Sequence, residues 1–534
     1  MKKWLIIGIL MLAAGLRLYA ISFFPAGLNA DEAALGYNAY SLLLTGRDEH
    51  GHPMPINLES FGDFKPAMYA YILIPFVKVL GLTQLAVRLP SAIFGIVGVL
   101  FIFLLVKESI GEEVALLSAL ALAISPWHLH FSRGAWEANV ATTFLLVGAW
   151  GFVKWLKTSN PSFFIVWGLS LIFSMYTYQS ARVVAPLLGM TWGIIYWRQI
   201  WDQRARIWKA GAVLVVLLVP LVWSVVTTGA GSRFSGVGLL ADLGPVNRAE
   251  ELRGQHKVAT TILAKVLHNR LVLYSFEFLK NYTDHFGGDF LFVNGDVIGR
   301  NRVPETGLLY LTDLILVFMG VVYLISHSTP YSKIIWWWLV VAPVASGMTF
   351  QTPNALRSHN MVVPLTILVA LGIYSLKTIK FKKEVILLLI IIYAYQLVRY
   401  LHQYYIHYPQ TYPASWEYGF AELVPYVESV KGKYQKILVT DKYDQPYILF
   451  LFFSKYLPSK FQSGHELTVR DKFNFSTVRD YDKYHFAPTP WDKVRDVHSA
   501  LIVAAPEDIP EVGVNIVKTI YFPSGQPAFK IVSN

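Results

Sequence analysis

Gly27-Leu28-Asn29-Ala30-Asp31-Glu32-Ala33 follows directly on an apolar run over residues 4–22. That run is long enough to cross a bilayer core as a helix. The Asp31-Glu32 pair therefore stands at its mouth, where charge beside lipid is costly and marks a functional candidate. Taken alone, the pair reads equally as a solvated turn or a helix N-cap. The rest of the chain decides what surrounds it.

Of 534 residues, 54% are hydrophobic and only 15% charged, too apolar for an ordinary soluble protein. Further apolar runs recur near 89–106, 113–130, 139–156, 162–176, 183–197, 210–228, 308–326, 334–350, 360–376 and 384–401. With 4–22 they make about eleven spans by the length criterion. Spans in lipid must satisfy their own backbone hydrogen bonds, so these are read as helices. The fold class is a polytopic α-helical membrane protein. The net charge of +11 does not point to nucleic acid, because the basic residues cluster in short loops between apolar runs, as orientation signals do. The absence of cysteine excludes disulfides, thiolate metal sites and a cysteine nucleophile. Lys2-Lys3 before an apolar run has the shape of a signal peptide, with Leu18-Tyr19-Ala20 as a weak cleavage site. Arg17 and the many later spans argue for an uncleaved first helix.

Residues 66–82 set the topology. Read as a span, they would put Asp31 and Glu137 on opposite faces. Read as an interfacial helix, with aromatics at headgroup level, they leave the loops at 198–209 and 377–383 on the side of Lys2-Lys3. That is the positive-inside arrangement, with a cytoplasmic N-terminus in the cell membrane. The membrane domain is then 1–401, with outer loops 23–88 and 229–307. The tail, 402–534, lies outside and differs in kind. Residues 436–440 and 500–505 read as buried strands and 446–456 as a helix between them, giving a small extracytoplasmic α/β domain.

Under this topology polar groups converge on the outer face: Asp31 and Glu32, Lys65, Arg133 and Glu137, Tyr178 and Arg182, Arg357 and His359. A sugar on a long isoprenoid phosphate has its reactive carbon at that level. Cations would hold the departing phosphate, and a carboxylate would take the proton from the attacking hydroxyl or amine. No nucleotide-binding glycine loop is needed, and none is found.

Several segments together resemble the bacterial branch of the protein O-mannosyltransferase-like glycosyltransferases (family 39, GT-C class), a family that also includes the lipid A aminoarabinose transferase. They are Asp31-Glu32 with Gly36-Tyr37-Asn38-Ala39, Phe64-Lys65-Pro66, Arg88-Leu89-Pro90-Ser91-Ala92, Phe131-Ser132-Arg133 with Glu137, and Asn354-Ala355-Leu356-Arg357. The resemblance spans roughly residues 15–420. It implies that Asp31 is the catalytic carboxylate, that Lys65 contacts the lipid phosphate, and that Glu137 fills a second acidic position where relatives usually carry Asp. Phe64 stands where the aminoarabinose transferase has a metal-binding glutamate, so a divalent metal is not supported and no cofactor is required. The implied partners are a polyprenyl-phosphate-linked sugar, membrane lipid, and a protein, lipid or glycan acceptor.

Each residue has a plainer reading. Lys65 reads also as a snorkelling lysine, Glu137 as a partner of Arg133 one helical turn away, Arg182 as a headgroup anchor, and His359 as a helix-end histidine. Asp289, Asn294 and Asp296 lack the terminal glutamate of a calcium loop and read as an ordered turn. A transporter or flippase for a lipid-linked saccharide is the alternative function, but the chain shows no related halves.

Overall fold

The computed structural model describes residues 2–227, 238–256, 261–378, 380–470 and 476–534; part of the expected outer loop 229–307 lies outside them. In chain order the principal elements are α1 (Lys2–Leu18), α2 (Ala30–Thr45), the hairpin β1 (Asn57–Ser60) and β2 (Asp63–Pro66), α3 (Met68–Leu80), α4 (Gln84–Ser109), α5 (Glu112–Ile124), α6 (Pro126–Arg133), α7 (Glu137–Thr158), α8 (Pro161–Thr177), α9 (Ala181–Ile195) and α10 (Arg204–Thr227). There follow α11 (Arg270–Asp284), α12 (Asp313–Ser326), α13 (Ser332–Val341), α14 (Val362–Ser375), α15 (Lys382–His402) and α16 (Phe420–Val430). The tail adds β3 (Lys436–Val439), α17 (Pro446–Ser454), β4 (His465–Leu467), β5 (Val478–Tyr481), β6 (Tyr484–Phe486), β7 (Ala500–Ala504), β8 (Ile516–Tyr521) and β9 (Pro527–Ser533).

Among the described residues five helices are long and apolar enough to cross a membrane: Gln84–Ser109, Glu137–Thr158, Arg204–Thr227, His359–Thr378 and Lys382–Thr411. A sixth span is complete if α5 and α6 count as one, bent by 55°. Pro126 lies at that bend; having no N–H, it starts α6 rather than continuing α5. Other expected spans coincide with the shorter apolar helices α8, α9 and α12. The 66–82 segment begins on the last residue of β2, and its helix α3 has 13 residues, short of the roughly 20 needed to span.

The chain forms two compact units. The first comprises Met1–Leu10, Val97–His128 and Ala141–Tyr393. Here α12 and α14 touch backbone to backbone: a Cβ on Gly320 would meet the Leu368 carbonyl, and one on Gly372 the Leu316 carbonyl. Small residues at a helix crossing permit that approach, which suits helices packing in lipid.

The second unit comprises Met11–Ile96, Leu129–Val140 and Ala394–Asn534. The residues read as an outer loop, 23–88, hold a buried helix. Asn29 caps α2: its side chain accepts from the Glu32 N–H at 3.0 Å, and Glu32 accepts from the Asn29 N–H at 3.4 Å, a capping box encoded by Asn-x-x-Glu. Gly46, at φ 67°, ends the helix. The tail carries a mixed seven-stranded sheet, β4-β5-β6-β3-β7-β9-β8, in which β3 pairs parallel with both β6 and β7. The two expected buried strands are its centre, and the expected helix between them is α17. The tail does not form a unit of its own: it belongs with α2 and the hairpin, and Gly36 of α2 lies so near Phe452 of α17 and Val87 of α4 that a Cβ would come within 2.7 Å of each.

Candidate active site

The second unit brings together Asp31, Glu32, Lys65, Arg133 and Glu137. Asp31 lies in the first turn of α2, where the helix dipole favours an anion. Lys65 rises from β2, opposite Leu58 of β1. Its ammonium forms an ion pair with the Asp31 carboxylate and lies 4.4 Å from the centre of the Phe61 ring. Asp31 keeps 29% of its side chain exposed and Lys65 11%. The pair is thus held in place yet reachable.

Glu32, also expected to be catalytic, lies in surroundings different from those of its neighbour. It is buried, and Arg88 of α4, fully buried, donates to it twice, Nε to Oε1 at 2.9 Å and Nη2 to Oε2 at 2.8 Å. The Ala135 N–H donates to Oε1 at 2.8 Å. Arg88 also donates to the carbonyls of Ile21, Pro25 and Gly27 at 3.2, 2.9 and 2.5 Å. Glu32 with Arg88 therefore ties the 21–29 loop, the start of α2 and the segment leading to Glu137 into one node.

Arg133, expected to bind phosphate, is engaged by the chain itself. It is 2% exposed, donates to the Leu16 and Tyr19 carbonyls at 2.7 Å each and to the Phe24 carbonyl at 3.4 Å, and lies over the rings of Tyr404 and Tyr405. It thereby satisfies carbonyls at the end of α1. Glu137 opens α7, half-buried, while Arg133 closes α6, so the two do not occupy successive turns of one helix. Asn139 fixes this corner by donating to the Ser91 carbonyl at 2.8 Å.

The first unit holds Tyr178, Arg182, Arg357 and His359. Tyr178 ends α8, and Arg182 follows at the start of α9 with Nε donating to the Met175 carbonyl at 3.2 Å. Both are half-buried. Arg357, also half-buried, donates to Thr349 Oγ1 at 2.8 Å. His359, expected to contact the donor, is buried at 1% exposure, stacked on His128 at 5.8 Å and packed edge-on to Trp127. In the Asp289–Asp296 segment, Asp289–Val293 form a short stretch of π-helix. Asp296 is buried and accepts from the N–H groups of Ile298 and Ala355 and from the Asn301 amide. Burial raises its pKa.

Sequence reading missed two groups. Arg88 appeared only inside a matching segment; a lone arginine at the head of an apolar run was its signal. Glu49, in Arg47-Asp48-Glu49-His50-Gly51-His52, is fully buried and receives the Tyr447 hydroxyl at 3.4 Å. Burial and the neighbouring Asp48 hold its pKa well above the usual carboxylate range, and Lys65 acts in the opposite direction. Among the described residues no three His, Asp or Glu side chains stand together as a metal site.

Residues 64–223 match the family model for dolichyl-phosphate-mannose-protein mannosyltransferases. The fold is similar to that of ArnT from Cupriavidus metallidurans bound to undecaprenyl phosphate, with a TM-score of 0.55 at 10% identity, covering 99% of this chain and 97% of that one. It is also similar to the oligosaccharyltransferase AglB from Archaeoglobus fulgidus, in complex with an inhibitory peptide and a dolichol-phosphate, with a TM-score of 0.51 at 11% identity, covering 87% of this chain and 65% of that one. A comparison with curated proteins finds no match. One segment is thus similar to the mannosyltransferase family, and the fold is similar to that of these two proteins. The matched segment includes Lys65, Arg88, Arg133 and Glu137.

Proposed function

We propose that this protein moves a sugar, a mannose-like hexose or a pentose, from a polyprenyl-phosphate donor to a protein, lipid or glycan acceptor on the outer face of the cell membrane, with inversion at the anomeric carbon. The observation that carries the reading is the accessible ion pair of Asp31 with Lys65. In the resting protein each neutralises the other. A donor phosphate competes for the Lys65 ammonium and releases Asp31 to act as general base. Asp31 then takes the proton of the acceptor hydroxyl or amine as that atom bonds to the anomeric carbon. The bond from that carbon to the phosphate oxygen breaks, its electron pair leaves with the polyprenyl phosphate, and Lys65 balances the charge. Glu137 orients the sugar or acceptor. Tyr178, Arg182 and Arg357 are candidate donor contacts, each to be tested by its effect on donor affinity. The N-terminus is cytoplasmic, and the α/β tail is extracytoplasmic.

The test is release of polyprenyl phosphate from labelled polyprenyl-phosphate sugars by purified protein in nanodiscs, with membrane extract as acceptor. Asp31→Asn is expected to lose turnover while retaining donor binding, and Lys65→Met to weaken donor binding at least tenfold. Undiminished turnover in Asp31→Asn refutes the assignment of the base.

A further inference from the structure

A cavity of about 510 Å³ opens in the second unit beside the Gly27–Leu28 backbone, just before the helix that carries Asp31. Its wall combines two kinds of group. Aromatic side chains come from Phe24, Tyr405, Tyr418 and Phe453, and oxygen- and amide-bearing side chains come from Glu417 and Gln410. Among the described residues no lysine or arginine lines it. A second carboxylate of the wall, Glu422, is paired with Lys518 at 2.8 Å, so the wall itself offers acceptors and aromatic rings and differs in chemistry from the Asp31–Lys65 pair.

The backbone at Glu417 is held in an unusual shape to build this wall. Glu417 is 5% exposed and adopts φ 44°, ψ 45°, the left-handed region that is unfavourable for a non-glycine residue. Two residues on, Gly419 has φ 106°. The turn is fixed from behind. The Trp416 indole donates to the Tyr408 hydroxyl at 2.7 Å, and the Trp416 backbone lies so close to Gly27 that any Cβ there would collide with it. Non-glycine strain of this kind persists where the surroundings over-determine it, and it concentrates at ligand sites.

Aromatic faces with nearby carboxylate and amide acceptors suit a pyranose ring, whose C–H faces stack while its hydroxyls donate. A carboxylate adds preference for an amine. We propose that this cavity is the acceptor subsite and takes a neutral or amine-bearing saccharide, stacked on the aromatic wall and bonded to Glu417. The proposal rests on the transferase reading above.

The test uses the full chain in nanodiscs free of sugar detergents and three probes: mannotriose, a glucosamine trisaccharide and a glucuronate trisaccharide. The first two are expected to bind and the third to fail. Glu417→Gln should weaken the glucosamine probe at least tenfold and mannotriose less. Ala421→Trp, at an exposed position on the wall, fills the cavity without removing a hydrogen bond and should weaken both at least tenfold. Affinity for undecaprenyl phosphate should stay unchanged in both variants. Mannotriose carried on a lipid anchor separates the sources: tighter binding than the free sugar assigns the subsite to a glycolipid, equal binding to a soluble or protein-borne glycan. Wild-type and Ala421→Trp proteins that bind the saccharides alike overturn the proposal. So does an Ala421→Trp variant that loses undecaprenyl phosphate instead, since the cavity then holds the lipid chain. Donor turnover in the same preparation keeps the two readings apart: turnover without saccharide binding overturns the subsite alone, and saccharide binding without turnover overturns the transferase reading.

Discussion

Replacing Arg88 with methionine tests whether the Glu32–Arg88 node organises the site. Arg88 is fully buried and makes five hydrogen bonds, two to Glu32 and three to the carbonyls of Ile21, Pro25 and Gly27. Methionine fills part of the volume but leaves the Glu32 carboxylate buried without its counter-charge and three carbonyls without this donor. Breaking one side of such a pair costs about 3–5 kcal/mol, or two to nearly four orders of magnitude in the folded ratio, since every 1.4 kcal/mol is tenfold. Glu32→Gln strands the guanidinium instead and should cost a similar amount. The double variant Arg88→Met/Glu32→Gln removes both charges, so its cost should fall well below the sum of the two singles. The assay is denaturant unfolding of the protein in mild detergent for wild type, both singles and the double, with polyprenyl phosphate release measured where the variant folds. Additive costs in the cycle, or an Arg88→Met protein of wild-type stability and turnover, would refute the node as the organiser of the site.

Three further outcomes follow from named contacts. Gly36→Leu drives a side chain into Phe452 and Val87, both within 2.7 Å of its Cβ, and should cost about 1–3 kcal/mol by overpacking, read as a lower unfolding midpoint. His50 is nearly buried, its Nδ1 lies 3.1 Å from Nε2 of His465, and burial lowers its pKa from 6.5 to about 3. The unfolded chain therefore binds a proton that the folded chain refuses between these values, so stability is fully present above pH 6.5 and is lost as pH falls toward 3. At pH 5 the loss is about 2 kcal/mol, and His50→Gln should flatten the pH dependence of unfolding between pH 7 and 5; an unchanged slope would refute the assignment. Glu137→Ala should lower turnover at least tenfold with the unfolding midpoint kept, the split expected of a residue that orients substrate; equal loss of stability would make it structural.

Much of this was legible in the sequence because lipid imposes a coarse code. Apolar length marks helices, and expected spans such as 89–106 and 139–156 fall on α4 and α7. The central strands β3 and β7 were legible because strands covered on both faces read as unbroken apolar runs. Other features depend on partners distant in sequence. Asp31 and Glu32 are adjacent carboxylates with opposite roles: one meets Lys65, 34 residues on, and remains reachable; the other meets Arg88, 56 residues on, and is buried. No local pattern separates them. Arg133 looked like a phosphate ligand because charge at an interface suggests one, and only the fold shows its donors turned to the carbonyls of Leu16, Tyr19 and Phe24. Residues 30–45 read as loop because polar and small residues interrupt the apolar pattern, whereas the helix is held by its capping box and by burial against the tail.

That last contact decides what removal of the tail should do. Residues from α17 onward grip the two elements that carry the reactive pair. The Tyr37 hydroxyl of α2 donates to the Tyr456 carbonyl at 3.1 Å, and the Gln462 amide donates to Ser41 Oγ, Thr45 Oγ1 and the Asp48 carbonyl at 3.0, 3.0 and 2.9 Å. Arg470 reaches the hairpin that bears Lys65, donating to the Gly62 carbonyl at 2.6 Å and to Glu59 at 3.0 Å. A tail that served only to choose acceptors would leave donor chemistry intact when deleted. A tail that shapes α2 and the hairpin would not. Deleting 420–534 should therefore abolish polyprenyl phosphate release with every acceptor. Arg470→Ala isolates the effect: a part-exposed ion pair and one carbonyl bond are together worth about 1–2 kcal/mol, so the donor KM should rise, by up to roughly five- to thirtyfold, with acceptor preference unchanged. A deletion protein that releases polyprenyl phosphate at the wild-type rate but glycosylates different acceptors would show that the tail is a separable recognition module and that α2 holds Asp31 in place without it.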